Sequence, residues 1–127
     1  KRWKRLRQYD RDPKPGGVFA RVFLEPDSKT LVIAFKGVCM EREMEQCQMD
    51  WCFLSKAQFY GPLSKDMAVV FGASPETCQK FEAAGQLDFP DQAAAFVQKV
   101  QQDLPKHSIT LTGHSMGGQM AMITAAR

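Results

Sequence analysis

A serine flanked by glycines carries the clearest chemistry in this sequence. Residues 109–118 read ITLTGHSMGG, so Ser115 lies between Gly113 and Gly117 in a Gly-x-Ser-x-Gly motif. An apolar run precedes the motif and small residues follow it, which predicts a strand, a sharp turn and a helix. A serine held in such a turn projects its hydroxyl above the sheet and can attack a carbonyl carbon. We therefore predict that Ser115 is a catalytic nucleophile.

The neighbours of Ser115 have mechanical roles in the same motif. A Cβ at Gly113 or at Gly117 would clash where the strand and the helix approach each other, so both positions favour glycine. Met116 follows the serine at the N-terminus of the predicted helix, where the helix dipole favours negative charge. We predict that the backbone N–H of Met116 is one donor of an oxyanion hole.

The elements that must position this motif have the order of an α/β domain. Residues 18–24 and 30–36 are rich in β-branched and aromatic side chains, with a Pro-Asp-Ser turn between them, which predicts a β-hairpin. Residues 90–104 carry the apolar stripe of an amphipathic helix and precede a predicted strand at 108–112. A helix, a strand, a tight turn and a second helix together indicate an α/β fold.

The segment between the hairpin and the long helix is less regular. Four side chains in residues 38–56 follow helical spacing: Met40, Met44, Cys47 and Trp51. This spacing predicts a helix or a lid-like insertion. Residues 67–71 (MAVVF) predict a short strand. Ser74 and Pro75 predict the N-cap and first turn of another helix, which ends at Gly85.

Composition places the chain among globular domains and leaves its location open. Of its 127 residues, 44% are hydrophobic and 24% are charged. No stretch approaches the ~18 apolar residues of a membrane span, and no apolar segment follows the charged N-terminus as a signal peptide requires. Both a cytoplasmic protein and a secreted effector fit these features.

Positive charge is concentrated at the N-terminus. Residues 1–14 hold seven basic and two acidic side chains, whereas the net charge of the whole chain is +3. We predict a basic arm at 1–16, solvated and helix-prone, whose Trp3 and Leu6 dock on a domain at 17–127. Contact between residues 1–14 and an anionic membrane is the alternative. We expect no nucleic-acid partner.

The cysteines give no sign of a metal site. Cys39, Cys47, Cys52 and Cys78 form no C-x-x-C pair, and the two histidines lie far from them in sequence, so we expect no metal and no cofactor. Their even number permits disulfides, but their spacing specifies no pairing. A domain of this size does not need such links, and we expect free thiols in a reducing compartment.

The motif and its flanks resemble the class 3 (triacylglycerol) lipases of the α/β-hydrolase fold. GHSMGG, with ITLT before it and QMAMITAA after it, is similar to their nucleophile turn, which usually has Leu at the position of Met116. LVIAFKGV at 31–38 resembles their strand ending in Phe-Arg-Gly-Thr or Phe-Arg-Gly-Ser, and Asp50-Trp51 resembles a following Asp-Trp. The resemblance covers about residues 17–127 and implies an incomplete, N-terminal part of this fold. It also implies that the backbone N–H of Val38 is the second oxyanion donor.

The resemblance implies a triad in the order Ser, Asp, His, yet no aspartate or histidine follows Ser115 in this sequence. His107 precedes the strand whose far end carries the serine, which puts it about 20–25 Å away. His114 is the immediate neighbour of the serine and should point to the opposite face and pack on the sheet. We predict that a second polypeptide supplies both missing residues, and that this chain alone is inactive.

Three functions remain open at this stage. The first is an ester hydrolase of lipase or phospholipase type that acts on a lipid or another ester. The same turn also serves thioester hydrolysis and acyl transfer. The third is a non-catalytic hydrolase-like module that binds a partner or a lipid surface, which the missing base and Val38 favour and the retained Ser115 opposes.

Overall fold

The structure, a computed structural model, describes residues 3–12, 18–39 and 44–126. The chain divides into two compact units. The first comprises Lys1–Asp12, Val18–Gly37 and Pro90–Arg127, and the second comprises Pro13–Gly17 and Val38–Phe89. No helix within the described ranges is long and apolar enough to span a bilayer.

A four-stranded mixed sheet forms the centre of the first unit. Its strands are β1 (Lys4–Arg5), β2 (Ala20–Glu25), β3 (Thr30–Phe35) and β4 (Ser108–Gly113), which lie side by side in that order. β1 and β3 both pair antiparallel with β2, whereas β4 pairs parallel with β3. The parallel pair is the feature expected of an α/β fold, since it needs a long crossover between its strands.

The predicted hairpin is confirmed as β2 and β3. Val22 on β2 and Leu31 and Ile33 on β3 are fully buried, while the residues between them on each strand are less so. This alternation follows from the two-residue period of a strand. At the turn, the carboxylate of Glu25 accepts hydrogen bonds from the N–H of Ser28 (2.7 Å) and from its hydroxyl (2.8 Å).

The described part of the N-terminal arm joins the sheet instead of forming a helix. Lys4–Arg5 is the edge strand β1, and a short 3-10 turn follows at Arg7–Tyr9. The N–H of Leu6 donates to the carbonyl oxygen of Val22 (2.9 Å), so backbone pairing with β2 outweighs the helix propensity of the arm. Trp3 is 47% exposed and does not dock as expected. The boundary at residue 16 lies outside the described residues.

The α-helices α4 (Phe89–Asp103) and α5 (Met116–Ala125) belong to the first unit, apart from Phe89, which is the last residue of the second unit. The predicted helix at 90–104 and the predicted strand at 108–112 are therefore confirmed. Val97 and Val100 of the apolar stripe are buried. α5 packs against β3 and β4.

The second unit is helical, with α1 (Glu45–Lys56), α2 (Ser64–Val70) and α3 (Pro75–Ala83). α1 confirms the predicted helix within 38–56, although Met40 lies outside the described residues. The cap is also confirmed, because the Ser74 hydroxyl accepts a hydrogen bond from the N–H of Thr77 (3.2 Å). Gly85 has φ 72°, as a glycine that ends a helix commonly does.

The strand predicted at 67–71 is wrong, because these residues continue α2 and its C-terminal turn. Val69 and Val70 are 51% and 59% exposed, whereas Ala68 is buried. The side chains of Val69 and Val70 therefore face solvent. The buried side of this short helix packs on α1. Packing on α1 has overridden the weak β propensity of the run.

The expectation of free thiols is also wrong. Cys39 is bonded to Cys47 (Cα–Cα 4.8 Å) and Cys52 to Cys78 (Cα–Cα 5.2 Å). The second bond joins α1 to α3, so the pairing depends on helix packing that sequence spacing does not encode. Disulfides persist mainly in oxidising compartments, so these two bonds do not fit the reducing compartment expected from free thiols.

Candidate active site

The strand, turn and helix around Ser115 have the predicted order. β4 ends at Gly113 and α5 begins at Met116, so the serine lies in the turn between them. Ser115 has φ 59° and ψ −122°, a left-handed backbone that non-glycine residues rarely adopt. Such a conformation costs about 1–3 kcal/mol and persists only where the surroundings impose it. The turn between β4 and α5 therefore holds Ser115 in a strained backbone conformation.

Close backbone contacts impose this conformation. An added Cβ on Gly113 would overlap the carbonyl group of Gly117, and one on Gly117 would overlap the carbonyl oxygen of Phe35. The N–H of Gly117 donates to the carbonyl oxygen of His114 (3.0 Å) and so closes the turn. The strand, the turn and the helix start are held together by contacts that any larger residue would break.

Gly37 is a further glycine at this turn that the sequence reasoning did not single out. A Cβ on Gly37 would lie 2.8 Å from the carbonyl oxygen of His114 and 3.8 Å from Cβ of Ser115. The chain that leaves β3 therefore passes directly beside the serine. The signal in the sequence is the Phe-Lys-Gly at 35–37, which resembles the Phe-Arg-Gly of the family.

The two residues proposed to supply oxyanion donors have different settings. Met116 is 5% exposed and is the first residue of α5, where a backbone N–H has no acceptor within its own helix. Val38 is half-buried and follows Gly37 directly, as the first residue of the Val38–Phe89 segment of the second unit. The roles of both N–H groups stay predictions.

Neither histidine is placed as a base for the serine. His107 precedes β4, and the six residues of that strand put it about 20 Å from Ser115. The Nδ1 atom of His107 is buried and has no hydrogen-bond partner among the described residues. His114 is exposed, so the expectation that it packs on the sheet is wrong. Within the described ranges, no side-chain hydrogen bond joins Ser115 to a histidine.

An open cleft lies beside β4 on the first unit. Within the described part of the chain, β4 is the last strand of the sheet, and its residues are exposed or half-exposed. A cavity of about 540 Å³ is lined there by residues of α4, β4 and α5. Met122 of α5, one of those residues, is 75% exposed. The uncovered edge offers backbone groups for another strand and apolar surface for its side chains.

Comparison with known proteins identifies the family. A family model described as Lipase (class 3) matches residues 32–127, which include most of β3, the Val38–Phe89 part of the second unit, β4 and the serine turn. No curated protein matches the chain, and no solved structure does. Because the matched region covers well over half of the sequence, the chain belongs to the class 3 lipases, a family of lipase-type ester hydrolases with the α/β-hydrolase fold.

Proposed function

We propose that this protein is a serine ester hydrolase of lipase or phospholipase type, with Ser115 as its nucleophile. The observation that carries the proposal is the backbone of Ser115, which has φ 59° at the junction of β4 and α5. Strained residues of this kind cluster at active sites, where the surrounding structure maintains the strain. The turn presents the serine at the end of a parallel strand, where α/β proteins bind their ligands.

The proposed reaction follows from this placement. The Oγ atom of Ser115 attacks the ester carbonyl carbon while a base removes its proton, and a tetrahedral oxyanion forms. The N–H groups of Met116 and Val38 donate hydrogen bonds to that oxyanion. The alcohol then leaves with a proton from the base, and a water molecule hydrolyses the acyl-enzyme by the same steps in reverse order.

We propose that the base and its acid partner come from outside residues 1–127. Two observations support this: His107 lies at the other end of β4, and the exposed His114 makes no hydrogen bond to the serine. The cleft beside β4 offers a place for the polypeptide that carries them. An additional parallel strand on β4 would cover the open edge and bury the apolar side chains of the cleft.

The test is labelling of the protein from its native source with a fluorophosphonate, followed by intact mass measurement and peptide mapping. We expect an adduct on Ser115, and a second polypeptide or a longer chain in the same material. Ser115→Ala should lower ester turnover by about 10⁴-fold or more. Ser108→Ala is the matched control, since Ser108 is an exposed serine at the opposite end of β4.

The alternatives predict other results. A protein that takes up no probe, and whose biological activity survives Ser115→Ala, would be a hydrolase-like binding module. Faster turnover of a thioester than of the matched oxygen ester would indicate a thioesterase, and transfer of the acyl group to an alcohol would indicate an acyltransferase. Full activity in a monomer of residues 1–127 alone would refute the proposal that the base comes from outside these residues.

A further inference from the structure

We infer that Asp50 and Trp51 are positioning residues, which hold the backbone after Val38 and so direct its N–H. The inference rests on the proposed function, because the direction of that N–H matters only if it binds an oxyanion. Both residues lie on α1, in the same unit as Val38. Neither is proposed to touch the substrate.

Both polar groups of the Cys39 backbone are held by side chains of α1. The N–H of Cys39 donates to Oδ2 of Asp50 (3.1 Å), and its carbonyl oxygen accepts from Nε1 of Trp51 (2.9 Å). The disulfide to Cys47 fixes the side chain of the same residue to α1. Three independent links therefore tie one loop residue to one helix.

These links restrict Val38 through the covalent geometry of the chain. The N–H of Cys39 belongs to the planar peptide group that begins at the carbonyl of Val38. Only φ and ψ of Val38 separate that plane from the plane that carries the N–H of Val38. Fixing the Cys39 backbone thus leaves the φ and ψ angles of Val38 as the only soft torsions between the proposed donor and a peptide plane held by α1.

The two side chains are themselves rigidly placed. Asp50 is 3% exposed, and its other carboxylate oxygen, Oδ1, accepts from Nε2 of Gln46 (2.8 Å). The buried ring of Trp51 stacks on Phe71 with a centroid distance of 4.5 Å and an interplanar angle of 2°. A donor in an oxyanion hole must be held to within about 0.5 Å of its productive position. Buried residues with fixed partners meet that requirement better than a solvated loop does.

Substitutions in the complete protein test the inference. Trp51→Phe keeps an aromatic ring on Phe71 but removes the indole N–H, and Asp50→Leu removes the carboxylate. We expect each to lower kcat about 10- to 100-fold with KM changed less than about twofold, because the interaction operates in the transition state. Asp50→Asn keeps an oxygen that can accept from Cys39, so it should retain most of kcat.

Gln48→Leu is the matched control. Gln48 also lies on α1, and its Nε2 donates to the carbonyl oxygen of Gly72 (3.0 Å), so this variant loses a comparable hydrogen bond away from Cys39. It should keep wild-type kcat when assayed well below its unfolding temperature. The inhibition constant of a trifluoromethyl ketone, which forms the oxyanion on Ser115, should rise in Trp51→Phe by the factor that kcat/KM falls.

The outcomes separate the two proposals. If Ser115→Ala abolishes turnover but Trp51→Phe and Asp50→Leu both behave like Gln48→Leu while the ketone binds unchanged, the positioning role is wrong and the nucleophile stands. If Ser115→Ala leaves turnover intact, the proposed function fails, and the positioning role fails with it. Should Asp50→Leu not fold, the comparison of Trp51→Phe with Gln48→Leu decides the question.

Discussion

Gly117, in the first turn of α5, lies so close to the end of β3 that a Cβ on it would overlap the carbonyl oxygen of Phe35. The contact joins two segments that are more than eighty residues apart in the chain. Because the two backbones touch, α5 begins immediately beside β3, and the turn that carries Ser115 has no room to relax.

We expect Gly117→Ala to destabilise the protein and to abolish activity. The added methyl group would meet backbone atoms of Phe35 and Lys36, which cannot move without disturbing β3. Overpacking of this kind costs about 1–3 kcal/mol. Gly118→Ala is the comparison, since its methyl group would lie 3.1 Å from the carbonyl oxygen of Gly113 and requires only a small shift. Urea denaturation of both variants measures the difference, and equal stabilities would contradict the contact.

The backbone strain at Ser115 predicts that two variants without the serine hydroxyl, Ser115→Gly and Ser115→Ala, differ in stability. Glycine adopts φ 59° at little steric cost, whereas alanine does not. We expect the free energy of unfolding of Ser115→Gly to exceed that of Ser115→Ala by about 1 kcal/mol. Both variants lack the hydroxyl, so the comparison isolates the effect of Cβ. A Ser115→Ala protein as stable as Ser115→Gly would show that the turn is unstrained.

Removal of the Cys52–Cys78 disulfide should lower the free energy of unfolding by more than the substitutions at Ser115 do. This disulfide links residues 26 apart in the chain, a loop whose closure is worth about 3.5 kcal/mol on the chain-entropy estimate. We expect the Cys52→Ala, Cys78→Ala double variant to lose roughly that much stability in urea denaturation. The Cys39–Cys47 link spans only 8 residues, and its removal should cost about 1 kcal/mol less. Thiol titration of the denatured, unreduced protein should find no free cysteine among the four, and finding them free would refute both pairings.

The ion pair between Arg5 and Asp10 predicts that the stability of the folded protein depends on pH. Arg5 hydrogen-bonds Asp10 (2.6 Å) and lowers the pKa of this carboxyl below its ordinary 3.8. The pair therefore stabilises the folded state above that value, and its contribution is lost as the pH falls through the lower, folded-state pKa. We expect Asp10→Asn to lower Tm slightly at neutral pH and low salt, because the pair is only half-buried and solvent screens it. The difference should vanish in strong acid and shrink in 1 M salt, which thermal scans can measure.

The short-range features of this protein could be predicted from the sequence. The hairpin of β2 and β3, the cap at Ser74 and the strand–turn–helix around Ser115 each depend on neighbouring residues. Their turn residues and hydrophobic periods lie within short windows of the chain, so a single sequence is enough to identify them. For the same reason, the family could be recognised from the motif and its flanks, which lie largely within the residues 32–127 that the family model matches.

Only the tertiary structure decided the features that depend on distant neighbours. Residues 67–71 have a strand-like composition, but they form a helix because they pack on α1. Lys4–Arg5 became a strand because β2 offered it a free edge, and the cysteines paired because α1 and α3 brought Cys52 and Cys78 together. The hydrogen bonds from Asp50 and Trp51 to Cys39 join residues 11 and 12 apart. Residue types set what each segment can do, while partners far along the chain select among those options, because packing energies exceed local propensities.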